Sequence, residues 1–568
     1  MAHYFHAVAI DYDGTLTTEP RPAAEVLAAV RAVRDAGRIA ILVTGRILSE
    51  LRSDFPDVDG HFDAIVGENG AVFSRLGQGD RPLVEPVDLE LYRAVLARGV
   101  HARRGQVILA TDGAVEDIVN EEIRRLGLEC QVERNRDALM VLPAGVTKGT
   151  GVIEALDELN LSPHSTVGVG DAENDHTLLS ACEIGVAVGN AVAALKSHAE
   201  VTLETPNGSG VRAFLSEDFL KGLPGIQPAR RCLTLGHYED GTPATIPASR
   251  VNIVLNGPSG AGKSYVAGLL AEQLIRLRYS VCVIDVEGDH VPLGALHGVI
   301  SLGAKGPLPP RDTVATLLAH GMRSVIVDLS LHPDEVKRSY ARDLLATLHA
   351  TRNETGIPHW LIVEEAHLLL PSGAEGWWCS DDTQVGICAI TYRPDLLCLR
   401  LSAQSEYHVH LDQQFGGTLD GPDGRPGRRF VPLKGYVAHI RHRHKYEEGQ
   451  LPANRRFYFR TRHGLTGHTA GNLSEFASEI ASATAGVLRH HAPRNDFSRW
   501  LGDLWRDSAL IEAVREIEAA IPDAEAGELL VLQHRLAEAV SSRVVPTLAE
   551  LGGGLTGVLP TPRAPRPD

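Results

Sequence analysis

Twice along this chain a short, uninterrupted apolar run breaks directly into a loop of glycine and charged or hydroxyl residues. Ala7–Asp11 leads into Asp11-Tyr12-Asp13-Gly14-Thr15-Leu16-Thr17, and Val251–Asn256 into Gly257-Pro258-Ser259-Gly260-Ala261-Gly262-Lys263-Ser264. Five or six apolar residues make a strand rather than a helix, and a strand without polar alternation has both faces covered. Such strands, alternating with amphipathic helices, close into a parallel sheet flanked by helices. The two runs therefore predict two α/β domains, each with its ligand site at the carboxyl ends of its strands.

The first series continues with a helix at Ala23–Ala36 and a strand at Ile39–Thr44. From about Arg81 to Pro143 the texture changes to two helices (near Asp88–Arg98 and Ala114–Leu126) and three short strands (near Val107–Thr111, Cys130–Arg134 and Leu139–Leu142). This reads as a small α+β insertion. The alternation resumes at Val167–Gly170 and Gly185–Val188 and ends near Phe214. The expected organisation is a core of residues 1–81 and 143–215, an insertion at 82–142 and a linker at 216–250. A second α/β domain follows at 251–445, with strands at Val281–Asp285, Ser324–Asp328, Trp360–Glu364 and Gly386–Thr391. A mostly helical domain is expected at 446–551, as in Leu473–Leu488 and Ala524–Val540, and a disordered tail at 552–568. A chain of 568 residues has room for three or four domains.

The first loop places two carboxylates, Asp11 and Asp13, at the end of a parallel strand. A carboxylate nucleophile can split phosphomonoester hydrolysis into two easier steps, and a second carboxylate can serve as acid and then base. Both charges repel a phosphate dianion, so the scheme requires a cation. Here the sequence resembles the haloacid dehalogenase superfamily of phosphatases, in the Cof and phosphoglycolate-phosphatase-like branch with a cap inserted between the second and third motifs. The resemblance covers about residues 1–215 and implies a Rossmann-like core. It implies Asp11 as nucleophile and Asp13 as acid/base. In Val43-Thr44-Gly45-Arg46, Thr44 would hold the phosphate, and in Thr147-Lys148-Gly149, Lys148 would neutralise it. In Gly170-Asp171-Ala172-Glu173-Asn174-Asp175, Asp171 would join Asp11 and Asp13 on Mg²⁺, with Asp175 nearby. Gly67-Glu68-Asn69-Gly70-Ala71 and Val186–Ala191 look like strings that line the phosphate side. The substrate implied is a small phosphorylated metabolite. Arg103, Arg104, Asp112, Glu116, Asn120 and Arg136 are the cap's polar candidates for selecting it.

The second loop has the pattern G-x-x-x-x-G-K-S. The backbone amides of Gly257, Gly260 and Gly262 would cradle phosphates, Lys263 would neutralise them and the Ser264 hydroxyl would bind Mg²⁺. Only 8 of the 55 basic residues are lysines, and two of them, Lys148 and Lys263, fall on motif positions. A hundred residues later, Trp360–Val363 ends in Glu364-Glu365-Ala366-His367. One of these carboxylates can face the metal and the next can polarise the attacking water. With Ile284–His290 and Val325–Ser330, residues 250–445 resemble the HerA/FtsK-type ATPases, whose core is RecA-like. The resemblance implies ATP as ligand, Glu364 on the metal side and Glu365 as base. Tyr392, in Thr391-Tyr392-Arg393-Pro394, stands where those ATPases often have a glutamine, and their barrel and long helical insertion are missing. ATP hydrolysis is therefore expected ahead of DNA pumping. A small-molecule kinase and a nucleic-acid-associated motor are the alternative readings.

The net charge of −17 excludes a protein whose main task is to coat nucleic acid. Between His439 and Arg462 lie Arg441, Arg443, Lys445, Arg455, Arg456, Arg460 and Arg462, interleaved with Tyr446, Phe457 and Tyr458 and set against Glu447 and Glu448. A solvated hairpin is favoured there over a nucleic-acid contact. His439, His442 and His444, and likewise His408 and His410, lack a completing ligand and are expected to be structural, and His490-His491 and Asp496–Trp500 to pack. The seven cysteines form no C-x-x-C pair, which excludes a zinc ribbon. No apolar run spans a bilayer and no basic leader opens the chain, so no membrane partner and a cytoplasmic location are expected. A homo-oligomeric ring is compatible with the second resemblance.

Overall fold

The computed structural model describes residues 4–135, 138–223, 225–228, 230–303, 306–319, 323–373, 385–413, 416–424, 426–435, 437, 451, 453–504 and 508–541. The chain divides into two compact units, one of residues 1–284, 293–327 and 332–435 and one of 285–292, 328–331 and 436–568. No described helix is long and apolar enough to cross a membrane.

In the first unit, β1 (Ala7–Asp11), β2 (Ile39–Val43), β3 (Ala64–Gly67), β4 (Val72–Arg75) and β5 (Gly79–Pro82) open the chain. β6 (Ala102–Arg104), β7 (Leu109–Asp112), β8 (Cys130–Asn135) and β9 (Ala138–Pro143) form a separate four-stranded sheet, ordered β6-β7-β9-β8. β10 (Thr166–Gly170), β11 (Ile184–Ala187) and β12 (Val201–Thr202) complete the first sheet, ordered β12-β11-β10-β1-β2-β3-β4-β5. β1 pairs in parallel with both β2 and β10, and all five of its residues are buried. The chain winds away from β1 in opposite directions, so the strand order reverses there and opens a crevice at the carboxyl ends of β1, β2 and β10.

The small sheet carries helices Leu89–Ala97 and Glu116–Leu126 on one face, packed through Leu91, Val95, Val119, Leu139 and Val141. Its other face contributes Ile108, Ala110, Met140 and Leu142 to the core of the large sheet. Among the strands that the sequence pattern did not predict here are β6 and the β4–β5 hairpin. β6 is only three residues, Ala-Arg-Arg, too short and charged to show an alternation. The β4–β5 hairpin has an exposed second strand with no apolar face.

The second sheet has eleven strands in the order β14-β13-β23-β22-β21-β15-β20-β19-β16-β18-β17. They are β13 (Cys232–Tyr238), β14 (Pro243–Pro247), β15 (Ile253–Asn256), β16 (Val281–Asp285), β17 (Val299–Gly303), β18 (Ser324–Asp328), β19 (Trp360–Val363), β20 (Ile387–Thr391), β21 (Tyr407–Leu411), β22 (Gly417–Asp420) and β23 (Arg428–Pro432). Much of residues 216–250, expected to be a linker, is structure: β13 and β14 form an antiparallel hairpin that buries Leu233, Leu235, Ala244 and Ile246. Gln273, on helix Lys263–Arg276, joins this hairpin to the sheet by bonding both the N–H (2.8 Å) and the carbonyl (2.9 Å) of Thr234.

The same stretch fastens the two sheets together. Glu183, fully buried just before β11, accepts hydrogen bonds from His164 Nδ1 (2.8 Å), Arg231 Nη1 (2.5 Å), Tyr279 OH (2.9 Å) and Ser249 Oγ. Arg230 pairs with Glu200 at 2.7 Å and donates to the carbonyls of Leu179 and Cys182.

In the other unit, hairpin β24 (Phe457–Thr461) and β25 (Gly464–Ala470) lies against helices Leu473–Ser482, Ala485–His491, Asp496–Leu504, Ser508–Ala520 and Ala526–Ser541. Phe457 and Phe459 point inward against Phe476 and Phe497, and Tyr458 and Arg460 point outward. His491 accepts from the Arg460 N–H and pairs with Asp496, a packing role. His439, Arg441, His442, Arg443, His444, Lys445, Tyr446, Glu447, Glu448 and the 552–568 tail lie outside the described residues.

Candidate active site

Asp11 ends β1 opposite Val43 of β2, so Asp11, Thr44 and Asp171 lie at the ends of three neighbouring strands. Lys148 comes from elsewhere, the first turn of helix Lys148–Glu158, whose start is set by a reciprocal cap between Thr147 and Thr150. This helix end lies hard against the loop after β3. A Cβ on Gly70 would sit 2.0 Å from the Thr147 carbonyl oxygen, and Gly70 has φ +102°, so only glycine allows that approach. The lysine is thereby driven into the crevice. Its buried Nζ donates to Asp11 Oδ1 at 2.7 Å and to Asp175 Oδ1 at 2.6 Å.

Asp175 is held from behind, its other oxygen accepting the N–H groups of Asp171 and Ala172 at 2.9 Å each. Thr15 Oγ1 donates to Asp171 Oδ1 at 3.1 Å. Thr44 is buried; its hydroxyl oxygen accepts the Arg46 N–H at 3.1 Å and its carbonyl accepts the Asn69 N–H at 3.0 Å. Burial, then the charge of Asp175, push the Asp11 carboxyl well above the usual carboxylate range against the pull of Lys148. Burial works against the Lys148 ammonium, but Asp11 and Asp175 outweigh it and raise its affinity for the proton.

Asp11, Asp171 and Asp175 offer carboxylate oxygens within 4.8 Å of one another, all buried. Asp11 Oδ2 is buried and has no hydrogen-bond partner. Three acids against one lysine, with one oxygen unsatisfied, form a donor set suited to a hard divalent cation. Asp13, expected as the third ligand, is not in this group. Arg46 takes its carboxylate through Nε at 2.9 Å and Nη2 at 2.6 Å, a two-pronged bond. Asp175, expected only nearby, occupies the third place.

The inserted sheet closes over this crevice. Glu68, at φ +51° after β3, is fully buried and accepts the N–H groups of Gln106 (2.8 Å), Val107 (2.8 Å) and Ile108 (3.1 Å), tying the insertion to the core. Gln131 of β8 accepts the Gly145 N–H and donates to the Val146 carbonyl, just before Lys148. Glu133, two residues on, accepts from Asn69 Nδ2 at 2.5 Å, and Asn69 Oδ1 accepts from Asn174 Nδ2 at 3.2 Å. Burial raises the Glu133 carboxyl above its ordinary range, opposed by Asn69 and by the charge of Lys148. Glu133 carries no motif, and the one signal for it in the sequence is its alternation with Gln131 on a strand. Of the cap residues expected to select the substrate, Arg103 pairs with Glu50, Glu116 with Arg134, Asp112 caps Ala114, Arg104 is exposed on β6, and Asn120 is half-buried on helix Glu116–Leu126. Arg136 lies outside the described residues.

In the second sheet, β15 delivers the glycine-rich loop. A Cβ on Gly257 would meet the Leu411 carbonyl oxygen at 2.5 Å, so the loop can start there only as glycine. Lys263 Nζ bends back to the carbonyls of Gly257 (3.0 Å) and Pro258 (3.1 Å), and Ser264 follows it in the first turn of the helix. β20 lies between β15 and β19, the strand carrying the paired glutamates. Glu364 is buried, and Glu365 has left-handed backbone angles of 45° and 45° at a sharp strand exit. His367 Nδ1 is 3.4 Å from Glu365 Oε2 and 3.0 Å from Thr391 Oγ1. Tyr392 packs edge-on to His367, with its ring centre 6.0 Å from Lys263 Nζ. Arg393 is bonded to Asp395.

Residues 105–215 match the family model described as haloacid dehalogenase-like hydrolase, and residues 252–305 the one described as Helicase HerA, central domain. The chain is 30% identical over 223 residues to the phosphoglycolate phosphatase of Methanopyrus kandleri, covering 37% of this chain and 94% of that protein. It is 38% identical over 114 residues to phosphoglycolate phosphatase 2 of Saccharolobus solfataricus, covering 20% of this chain and 47% of that protein. A solved haloacid dehalogenase-like hydrolase from B. subtilis covers 38% of this chain and 99% of its own at 18% identity, with a TM-score of 0.32.

Proposed function

Because this chain belongs to the haloacid dehalogenase-like hydrolases, we propose that its first sheet and cap hydrolyse a small phosphomonoester through an aspartyl-phosphate. The observation that carries this reading is Lys148 bridging Asp11 and Asp175 while the second Asp11 oxygen stays buried and unbonded. That oxygen attacks phosphorus; the Asp11 O–P bond forms as the bond to the leaving oxygen breaks, and Asp13 supplies that oxygen's proton. In the second half, Asp13 takes a proton from water, the resulting hydroxide attacks, and the Asp11 O–P bond breaks to release phosphate. For Asp13 to move protons, one of its bonds to Arg46 must give way as the leaving oxygen arrives. Thr44 and Lys148 receive the phosphoryl oxygens, which places two donors where charge builds. Mg²⁺, held by Asp11 and Asp171 with Asp175 behind them, would supply the remaining positive charge.

The second sheet is read as an ATP site. Gly257, Gly260 and Gly262 would wrap the phosphates, Lys263 would leave its loop carbonyls for them, and Ser264 and Glu364 would face Mg²⁺. Glu365, aimed by its left-handed backbone and steadied by His367, is the base toward water. We place both activities in the cytoplasm. The test is Mg²⁺-dependent phosphate release from a panel of phosphomonoesters by wild type and Asp11→Asn. Release lost in the variant supports the reading; equal release by both proteins rejects Asp11 as nucleophile.

A further inference from the structure

The cap face turned to the crevice is charged in a way that bears on the leaving group. Across the small sheet, Arg103, Ala110, Met140 and Glu133 stand in one cross-strand row. Ala110 and Met140 pack into the large core, so this row faces the crevice. A Cβ built on Gly45, beside Thr44, would lie 3.4 Å from Met140 Sδ and 3.9 Å from Asn69 Oδ1. The row therefore passes over the loop that would hold the phosphate.

Its two ends differ. Arg103 is already committed to Glu50 at 2.7 Å. At the other end is a carboxylate, Glu133, which accepts from Asn69 Nδ2 through one oxygen and from Gln131 Nε2, at 3.3 Å, through the other, each oxygen keeping a lone pair for a substrate donor. Among the described residues of this row, no cation is left over to receive a second negative group on the substrate. A carboxylate brought to within about 6 Å of Glu133 in such a half-buried place would lose roughly a hundredfold in affinity. A hydroxyl or ammonium would instead donate to Glu133, and a site built to accept such a donor discriminates strongly for it.

Resting on the phosphatase reading above, we propose that Glu133 is the leaving-group selector of this site, and that its substrates are polyol, sugar or amino-alcohol phosphates rather than phosphates of hydroxy acids. This departs from the substrate in the names of the relatives. The alternative role for Glu133 is that of a tether holding the cap to Asn69, which would affect every substrate alike.

The experiment compares kcat/KM for glycerol phosphate, a hexose 6-phosphate, 2-phosphoglycolate and p-nitrophenyl phosphate in wild type, Glu133→Gln and Glu133→Ala. Wild type should favour the best neutral polyol ester over 2-phosphoglycolate by about thirtyfold. Glu133→Gln should cut that ratio by about tenfold, mainly by improving 2-phosphoglycolate, and Glu133→Ala should do so while losing rate on the polyol esters. A parallel fall on all four esters overturns the selector in favour of the tether, as does a wild type that prefers 2-phosphoglycolate. Silence on every ester, p-nitrophenyl phosphate included, brings down the phosphatase reading and the selector with it.

Discussion

Replacing Glu183 by glutamine keeps the side chain's shape and removes its charge from the junction of the two sheets. Burial alone would raise this carboxyl, but the bonds and charge of His164 and the charge of Arg231 hold it at about 2. The folded value lies below the unfolded one, so the ionised group stabilises the fold above about pH 4.5. That stabilisation drains away as the pH falls toward about 2. At about 1.4 kcal/mol per pH unit, roughly 3 kcal/mol at neutral pH depends on the charge. The variant also leaves the Arg231 guanidinium, which keeps its bond to the Ser180 carbonyl, without its counter-charge, the costly way to break a buried pair. Urea unfolding of Glu183→Gln at pH 7, followed by tryptophan fluorescence, should show a loss of about 3 kcal/mol, and the gap from wild type should shrink once the pH drops below about 4.5. A gap under about 1 kcal/mol at pH 7, or one that widens between pH 5 and 3, would refute the reasoning.

Three further outcomes are expected. Asp11→Asn should melt a few degrees higher than wild type at pH 7 while losing phosphate release, because it relieves a buried carboxylate crowded by Asp175; an equal or lower melting temperature counts against the crowding. Glu68→Ala should speed amide exchange at Val107 and Ile108 by at least about tenfold, since two buried N–H groups, along with the half-buried one of Gln106, lose their acceptor, and unchanged exchange would show that the cap is fastened elsewhere. Lys263→Ala should abolish binding of a fluorescent ATP analogue and leave phosphatase turnover within about twofold; retained binding would reject the glycine-rich loop as the nucleotide site.

Much of the site was legible because its chemistry is local. Asp11, Thr44, Lys148 and Asp171 each sit in a loop directly after an apolar strand or at a helix start, and the parallel sheet then carries three of the four to one crevice. What was not legible depends on long-range pairing. Arg46 captures Asp13 from 33 residues away, and Asn69 meets Glu133 across 64. No spacing rule encodes such meetings. Glu183 has partners 48, 66 and 96 residues distant, and in the sequence it is one acid among 72. Residues 216–250 show one strand-like stretch in the sequence but not a hairpin, because the register shifts between Thr234 and Gly236 and prolines bound the second strand, diluting an alternation that Leu233, Leu235, Ala244 and Ile246 nonetheless keep.

The clasp around Glu183 also decides where this gene can be cut. A phosphatase ended at residue 215 would keep the buried acid and lose Arg231, Ser249 and Tyr279. A second-sheet fragment begun at residue 251 would keep Tyr279 but lose Glu183, together with the hairpin at the sheet edge that Gln273 secures. Neither fragment inherits a satisfied set of charges, so dissection at the obvious seam sacrifices both halves. A boundary drawn by sequence resemblance therefore runs through the middle of one charge cluster, and any exchange of either half has to carry residues 216–250 and a partner for Glu183 with it.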